Sequence, residues 1–318
     1  MDSEKPIVIA TRGSALALAQ ANQILDACRA AFPDSAFEIR TFKTTGDKNL
    51  TASLANPGKS LPKGLFTKEL EVALLSGEAD LAVHSLKDLP TELPDGLKLG
   101  AAAEREDARD TLVWSHDEAT AAGGALPELP QGATVATSSN RRKAQLLKLR
   151  PDLDIVEIRG NVATRLRKLR EQEELQATIL AAAGLKRLGY ALGDDGALSG
   201  DDVPEGVKAR RLDIDEMLPC VGQAAIGIEI RENDARIEQV CAALNCPGTM
   251  ACVTAERAFL AGMGGGCATP VAALATVVEE SLSLKAISFV GGVYGSAEIM
   301  GDQDAAVAIG RQAASDLK

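Results

Sequence analysis

Short apolar strands alternate with amphipathic helices along this chain, and the alternation runs twice. "KPIVIATR" reads as a buried strand. "SALALAQANQILDACRA" then puts Leu18, Ala21, Leu25 and Cys28 at helical spacing behind Ser14, a natural N-cap. "FEIRTFKT", "LFTKELEVALLSG" and "ADLAVHS" continue as strand, helix and strand. After Glu104-Arg105-Glu106-Asp107 the series restarts, with strands in "DTLVWS", "ATVATS", "DIVEIRG" and "ATILAAAG" and helices in "NRRKAQLLKL" and "NVATRLRKLREQ". Such alternation predicts a mostly parallel sheet with covering helices, and two rounds of it predict two α/β lobes with a cleft between them. From about Cys246 a third unit follows: the helix "MACVTAERAFLAGM", the strands "PVAALATVV" and "SLSLKAISFV", and the helix "DAAVAIGRQAASDL". "TGDKNLTASLANPGKSLPKG" reads as a long, mobile loop and "GDDGALSGDDVPEG" as a polar surface insertion.

Charge and composition narrow the partners. The net charge is −11 and aromatic residues make up 3%, which argues against nucleic acid. No segment approaches the roughly 18 consecutive apolar residues of a membrane span. The opening "MDSEKPIVIA" is not a secretory signal, so a cytoplasmic location is expected. Six cysteines without a C-x-x-C pair, and two histidines, suggest reduced thiols and no metal site. From Thr137 to Tyr190, however, twelve Lys and Arg stand against six Asp and Glu. An acidic chain with a basic middle is expected to bind a small polyanion there.

Ligands of open α/β sheets bind beyond the carboxyl ends of the strands. Those ends carry Arg12-Gly13-Ser14, Ser85-Leu86-Lys87-Asp88, Ser138-Ser139-Asn140-Arg141-Arg142, Arg159-Gly160-Asn161 with Arg165 a turn later, and Lys186-Arg187. Helix N-termini and guanidinium forks in such a place suit carboxylates. On the helix "NVATRLRKLREQ", Arg165 falls near the packed face and Arg167 on the water face. Asp88 is a lone carboxylate among these cations: it either pairs with Lys87 or an arginine, or does acid–base work. "GGGCATP" poses a similar choice, because its glycines form either a flexible turn or a clearance for something bulky on Cys267. His84 reads as a core histidine.

These segments, in this order, closely resemble the hydroxymethylbilane synthase (porphobilinogen deaminase) family. The match runs through "IATRGSALALAQ", "KGLFTKELE", "ADLAVHSLKDLP", "TSSNRRKAQL", "IRGNVATRL", "AAGLKRLG", "VGQAAIGIE", "TAERAFL" and "GGGCATP", nearly the whole chain. The resemblance implies two lobes like those of type II periplasmic binding proteins and a small α+β C-terminal domain. The expected division is 1–104 with 215–242, then 105–214 with its insertion near 193–206, then 243–318. It also implies a dipyrromethane cofactor held to Cys267 by a thioether. Four porphobilinogens are condensed onto this primer with loss of ammonia, and water releases the linear tetrapyrrole. Asp88 takes the place of the catalytic aspartate, which assists amine loss, steadies the azafulvene cation and helps remove the pyrrole α-proton. Arg12, Ser14, Lys87, Ser138, Arg141, Arg142 and Arg159 fall on positions that hold the cofactor, and Arg12, Gln20, Arg159, Arg165, Arg187 and Gln223 on positions that hold substrate. A monomer is expected, with no metal.

The chain departs from the family pattern at Asn140, Ala163 and Ala224, where leucine, glycine and glycine are usual. Alanine disfavours positive φ, so ordinary backbone is expected at 163 and 224. Two other functions fit parts of the pattern. A non-catalytic bilobal anion receptor or sensor explains the arginines but leaves Asp88 and Cys267 without work. A cysteine hydrolase needs His84 close to Cys267.

Overall fold

A computed structural model describes residues 5–48, 64–115, 125–266 and 269–318. In chain order the first elements are β1 (Ile7–Arg12), α1 (Ala15–Ala31), β2 (Phe37–Phe42), the short α2 (Thr45–Lys48), α3 (Lys68–Leu75), β3 (Leu81–Ser85) and β4 (Leu97–Ala102). Next come β5 (Asp110–Trp114), β6 (Thr134–Ala136), α4 (Asn140–Leu149), β7 (Asp154–Val156), α5 (Val162–Glu171), β8 (Ala177–Ala181), α6 (Ala182–Arg187), the small hairpin β9 (Ala191–Leu192) and β10 (Leu198–Ser199), and β11 (Lys208–Arg211). Then follow β12 (Ile226–Arg231), α7 (Ala235–Leu244), α8 (Pro247–Gly262), β13 (Val271–Val278), β14 (Ser281–Ser288), β15 (Gly295–Asp302) and α9 (Ala306–Asp316). Most of the expected loop between α2 and α3 lies outside the described residues.

Two five-stranded sheets share one plan. The first runs β2-β1-β3-β12-β4 and the second, from its matching edge, β7-β6-β8-β5-β11. In each, four strands point one way and one is inverted: β12 is antiparallel to both β3 and β4, and β5 to both β8 and β11. The inversion follows from connectivity. The chain leaves the first lobe at the carboxyl end of β4 and enters the second from that side, so β5 must run away from the cleft while β6, β7 and β8 run toward it. The return strand β12 repeats this in the first lobe. Pairing agrees, since Asp110, first in β5, sits opposite Ala181, last in β8, and Ile226 sits opposite Ser85.

Local chemistry sets the helices. Ser14 caps α1, accepting the Ala17 amide at 3.3 Å, and the helix buries Ala21, Ile24, Leu25 and Cys28, with Leu18 only half-buried. Asn161 caps α5 through the Thr164 amide at 2.8 Å, and Leu166 and Leu169 pack against the second sheet. The third domain lays α8 and α9 on the antiparallel sheet β13-β14-β15, around a core that includes Phe259, Leu282, Leu284 and Ile309. Three domains result, two lobes of one plan and a smaller α+β domain.

One carboxylate ties them together. Glu256 on α8 is fully buried and accepts four hydrogen bonds: two from Arg105 at 2.5 and 3.1 Å, one from the Gly222 amide at 2.7 Å, and one from the Ala275 amide at 2.9 Å. Arg105 stands on the outgoing crossover, Gly222 on the returning one, and Ala275 in β13. Backbone at 224 corrects the expectation: Ala224 has φ of 71°, whereas Ala163 is helical. The turn places Gly222 so close to Leu86 and Lys87 that a Cβ there would lie 3.2 Å from backbone atoms of both. That contact, together with the bond from Arg187 Nη2 to the Ala224 carbonyl at 2.7 Å, outweighs a left-handed penalty of about 1–2 kcal/mol.

A candidate active-site cleft between two sheet edges

The carboxyl edges of the two sheets face one another. Leu16, at the start of α1, lies 3.9 Å from where a Cβ on Gly184 of α6 would stand, and Arg187 reaches across to Ala224. The first edge carries Arg12 and the 3₁₀ turn Leu86–Asp88; the second carries the starts of α4, α5 and α6.

On the first edge, Arg12 stacks over the Phe66 ring, its guanidinium carbon 4.2 Å from the centroid, which holds the charge at the rim. Lys87 and Asp88 are half-buried at the end of β3. No described residue gives the Asp88 carboxylate an ion pair or a hydrogen bond, so the pairing with Lys87 that its neighbours suggest does not form. Beneath it, His84 is buried and its Nε2 meets Glu229 Oε2 at 2.9 Å, as a core histidine should. Gln20 is buried and accepts a bond from Ser85 Oγ at 3.0 Å, so it braces the end of β3.

The second edge concentrates positive charge. Arg141 and Arg142 are buried and share one carboxylate, Asp110, at 2.7 and 2.8 Å. Arg141 also donates to the Leu218 carbonyl at 2.7 Å and Arg142 to the Ile179 carbonyl at 2.8 Å. Burial alone would raise the Asp110 carboxyl, but the two guanidiniums outweigh it and hold it well below the usual carboxylate range. Two cations against one anion leave a net positive charge, and Nε of both arginines is buried without a partner. Arg165, held through Nε by the Gly160 carbonyl at 2.9 Å, is pushed down to about 10 by burial and by the nearby Arg142 and Arg159. Arg167 is exposed and leans on Glu171 at 3.7 Å. Arg159 is 3.7 Å from Glu157, and Ser138 donates its hydroxyl to the Ile158 carbonyl at 2.7 Å. Arg187 is held below its ordinary value by burial, with Glu106 opposing.

Gln223 is turned inward by the returning crossover. It is buried, and its amide donates to the Ala108 carbonyl at 2.8 Å and to Asp110 at 2.9 Å. It braces the two crossovers and has no donor left for a substrate. Cys267 lies outside the described residues; the loop before it has positive φ at Gly264, Gly265 and Gly266. Phe66, Asp110, Glu256 and Arg257 act on this site and were not singled out from the sequence. The signal for Asp110 was faint, a carboxylate opening a strand beside two consecutive arginines.

The donor set suits a dipyrromethane. Each of its pyrroles brings carboxylates, and the second edge offers more buried guanidinium than its own carboxylate neutralises. Among the described residues no cluster of His, Cys, Asp or Glu could hold a metal ion, and no helix is long and apolar enough to cross a membrane.

Fold and site together define a bilobal α/β protein with surplus guanidinium along one edge of its cleft and, on the other, a carboxylate without an ion pair among the described residues. Its sequence matches the family "Porphobilinogen deaminase, dipyromethane cofactor binding domain" over residues 7–239 and "Porphobilinogen deaminase, C-terminal domain" over 250–318. The chain belongs to the porphobilinogen deaminase family. It is 48% identical to the porphobilinogen deaminase of Moorella thermoacetica over 88% of this chain and 82% of that protein. It is 48% identical to that of Paracoccus denitrificans over 89% and 84%, and 44% identical to that of Trichlorobacter lovleyi over 98% and 93%. A solved structure of the periplasmic aliphatic sulphonate binding protein SsuA from Escherichia coli aligns with 82% of this chain and 71% of its own, at 13% identity and a TM-score of 0.40. The family makes this chain a hydroxymethylbilane synthase, a transferase of tetrapyrrole synthesis with a dipyrromethane cofactor, and disfavours the receptor.

Proposed function

We propose that Asp88 is the catalytic carboxylate and Cys267 the tether of the dipyrromethane, and that the cleft arginines hold the carboxylates of cofactor and porphobilinogen. The observation that carries this reading is the half-buried Asp88, without a counterion among the described residues, on one sheet edge, facing a second edge with surplus guanidinium. When bound, the cofactor supplies the free pyrrole α-carbon to which the first new ring is added.

Asp88 offsets positive charge as the amine departs and takes up the proton leaving the α-carbon. Arg142 and Arg165 receive carboxylates through the guanidinium positions that Asp110 and Gly160 leave open. Arg159, Ser138 and Ser14 flank them. Arg12 and Lys87 orient the ligand from the opposite edge, and Arg187 closes the interlobe side. Arg141 serves chiefly to fix Asp110 and α4, and Gln20 to hold the end of β3. The proposed units are 1–104 with 215–242, 105–214, and 243–318, in keeping with β12 joining the first sheet. A cytoplasmic monomer that acts on a small molecule, without nucleic acid, completes the reading.

Intact mass tests it. The wild-type protein should exceed its 33.1 kDa by a dipyrromethane, and Cys267→Ala should lose that excess and all turnover while remaining folded. A full adduct on Cys267→Ala would overturn the tether.

A further inference from the structure

Arg257 donates from Nη1 to the Leu89 carbonyl at 3.0 Å and from Nη2 to the Pro90 carbonyl at 2.5 Å. Those are the two residues that follow Asp88. No carboxylate forms an ion pair with Arg257 among the described residues; burial pushes it down to about 10, and Glu229 opposes at longer range. A half-buried guanidinium held only by carbonyls is a poor way to stabilise a fold, since an apolar side chain of similar length packs there without the cost of desolvation. Its worth must lie in what it holds still.

The surroundings show what that is. Beyond Arg257, α8 runs to Gly262 and into the glycine loop before Cys267. That loop is fastened back on the helix by bonds from the Gly264 amide to the Ala261 carbonyl at 3.1 Å and from the Gly265 amide to the Leu260 carbonyl at 2.9 Å. A Cβ on Gly265 would lie 3.3 Å from Thr91 Oγ1. Residues 89–91 therefore lie between Arg257 and the start of the cysteine loop. On the other flank, Glu256 holds the Gly222 amide, and Gly222 packs on Leu86 and Lys87. Two consecutive residues of one helix in the third domain thus hold both sides of the turn that presents Asp88.

We propose that Arg257 is a positioning residue that sets the spacing between the Asp88 carboxylate and the cysteine loop, and with it where along the lengthening chain Asp88 acts. This rests on Asp88 and Cys267 having the roles given above. The tether is fixed while the reacting end moves outward with each ring added, so an error in that spacing alters catalysis more than binding.

The test compares Arg257→Met and Arg257→Lys with wild type in adduct mass, Tm, kcat and KM for porphobilinogen, and in the enzyme-bound elongation intermediates resolved by intact mass. Arg257→Met should keep the adduct and a Tm within a few degrees. Its kcat should fall about 10- to 100-fold, the scale of a displacement near 1 Å, with KM within about twofold. Its bound intermediates should accumulate at one step. Arg257→Lys, which still donates to a carbonyl, should recover part of kcat. Unchanged kcat per folded molecule, a kcat loss that only follows Tm, or a lysine variant no better than the methionine one would each overturn the proposal. Absence of any adduct from wild type would instead overturn the assignment of Cys267 as the tether.

Discussion

The two lobes share a strand order, yet their cleft edges treat a carboxylate in opposite ways. In the second lobe Asp110 opens the inverted strand, fully buried between two guanidiniums and Gln223. The matching position in the first lobe is the apolar Ile226, and that lobe's buried Glu229 lies deeper along β12, where it meets His84 and, among the described residues, no arginine. Three residues past the end of β3 stands Asp88, half-buried and unpaired among the described residues; three past the end of β8 stands Gly184. One fold, used twice, has been given a carboxylate that organises and a carboxylate that is left available. Removing each should therefore damage a different property.

Asp88→Asn keeps the shape and removes the charge. Turnover should fall by about 10²-fold or more, with Tm nearly unchanged, read by initial rates and thermal melts of one preparation. A large loss of Tm with turnover preserved in the folded fraction would erase the contrast between the lobes. Asp110→Asn should do the reverse first, costing about 3–5 kcal/mol of stability by leaving Arg141 and Arg142 buried and underpaired. Its carboxyl is depressed in the folded state, so its contribution is present above the unfolded carboxylate value of about 3.9 and is lost as pH falls below it. Denaturant melts from pH 7 down to 3 should show a steep acid limb for wild type and a shallower one for Asp110→Asn. Parallel limbs would mean that other carboxylates dominate.

The finest test lies within the second lobe. Arg165→Gln should weaken cofactor assembly or elongation by about tenfold, since one decade is 1.4 kcal/mol and a charged hydrogen bond to a desolvated carboxylate is worth roughly 1.5–3 kcal/mol. Arg167→Gln loses only an exposed pair with Glu171, about 0.3–0.5 kcal/mol. Equal effects at one salt concentration would replace placed carboxylate sites with a diffuse field.

Much of this was legible in the sequence because helices announce themselves locally. Ser14 and Asn161 cap where their side chains can, and the period of Leu166 and Leu169 separates Arg165 from Arg167 before any fold is known. What escaped is whatever depends on residues far apart in the chain. The sharing of Asp110 joins positions 110, 141 and 142, and nothing in "RDTLVWS" marks its aspartate as buried. Gln223 carries the right chemistry for a ligand, yet the returning crossover turns it inward to Ala108. Ala224 adopts a glycine's backbone because the contacts of that turn override a local preference. β15, "GSAEIMGD", went unread because its glycines and its exposed Ser296, Glu298 and Met300 do not look like a strand. Its place is set by pairing with β14.

The inverted strand β12 has a consequence for synthesis. The second sheet draws on one continuous run of chain, from Asp110 to Arg211, and can close as soon as that run has left the ribosome. The first lobe cannot. Among the described residues β4 pairs only with β12, so the strand made by residue 102 waits for one that ends at residue 231. The lobe translated first is thus the later to be completed, and the turn that bears Asp88 gains its backing from the Ala225 carbonyl, which accepts the Leu86 amide at 3.0 Å, only after the arginine edge opposite can already be in place.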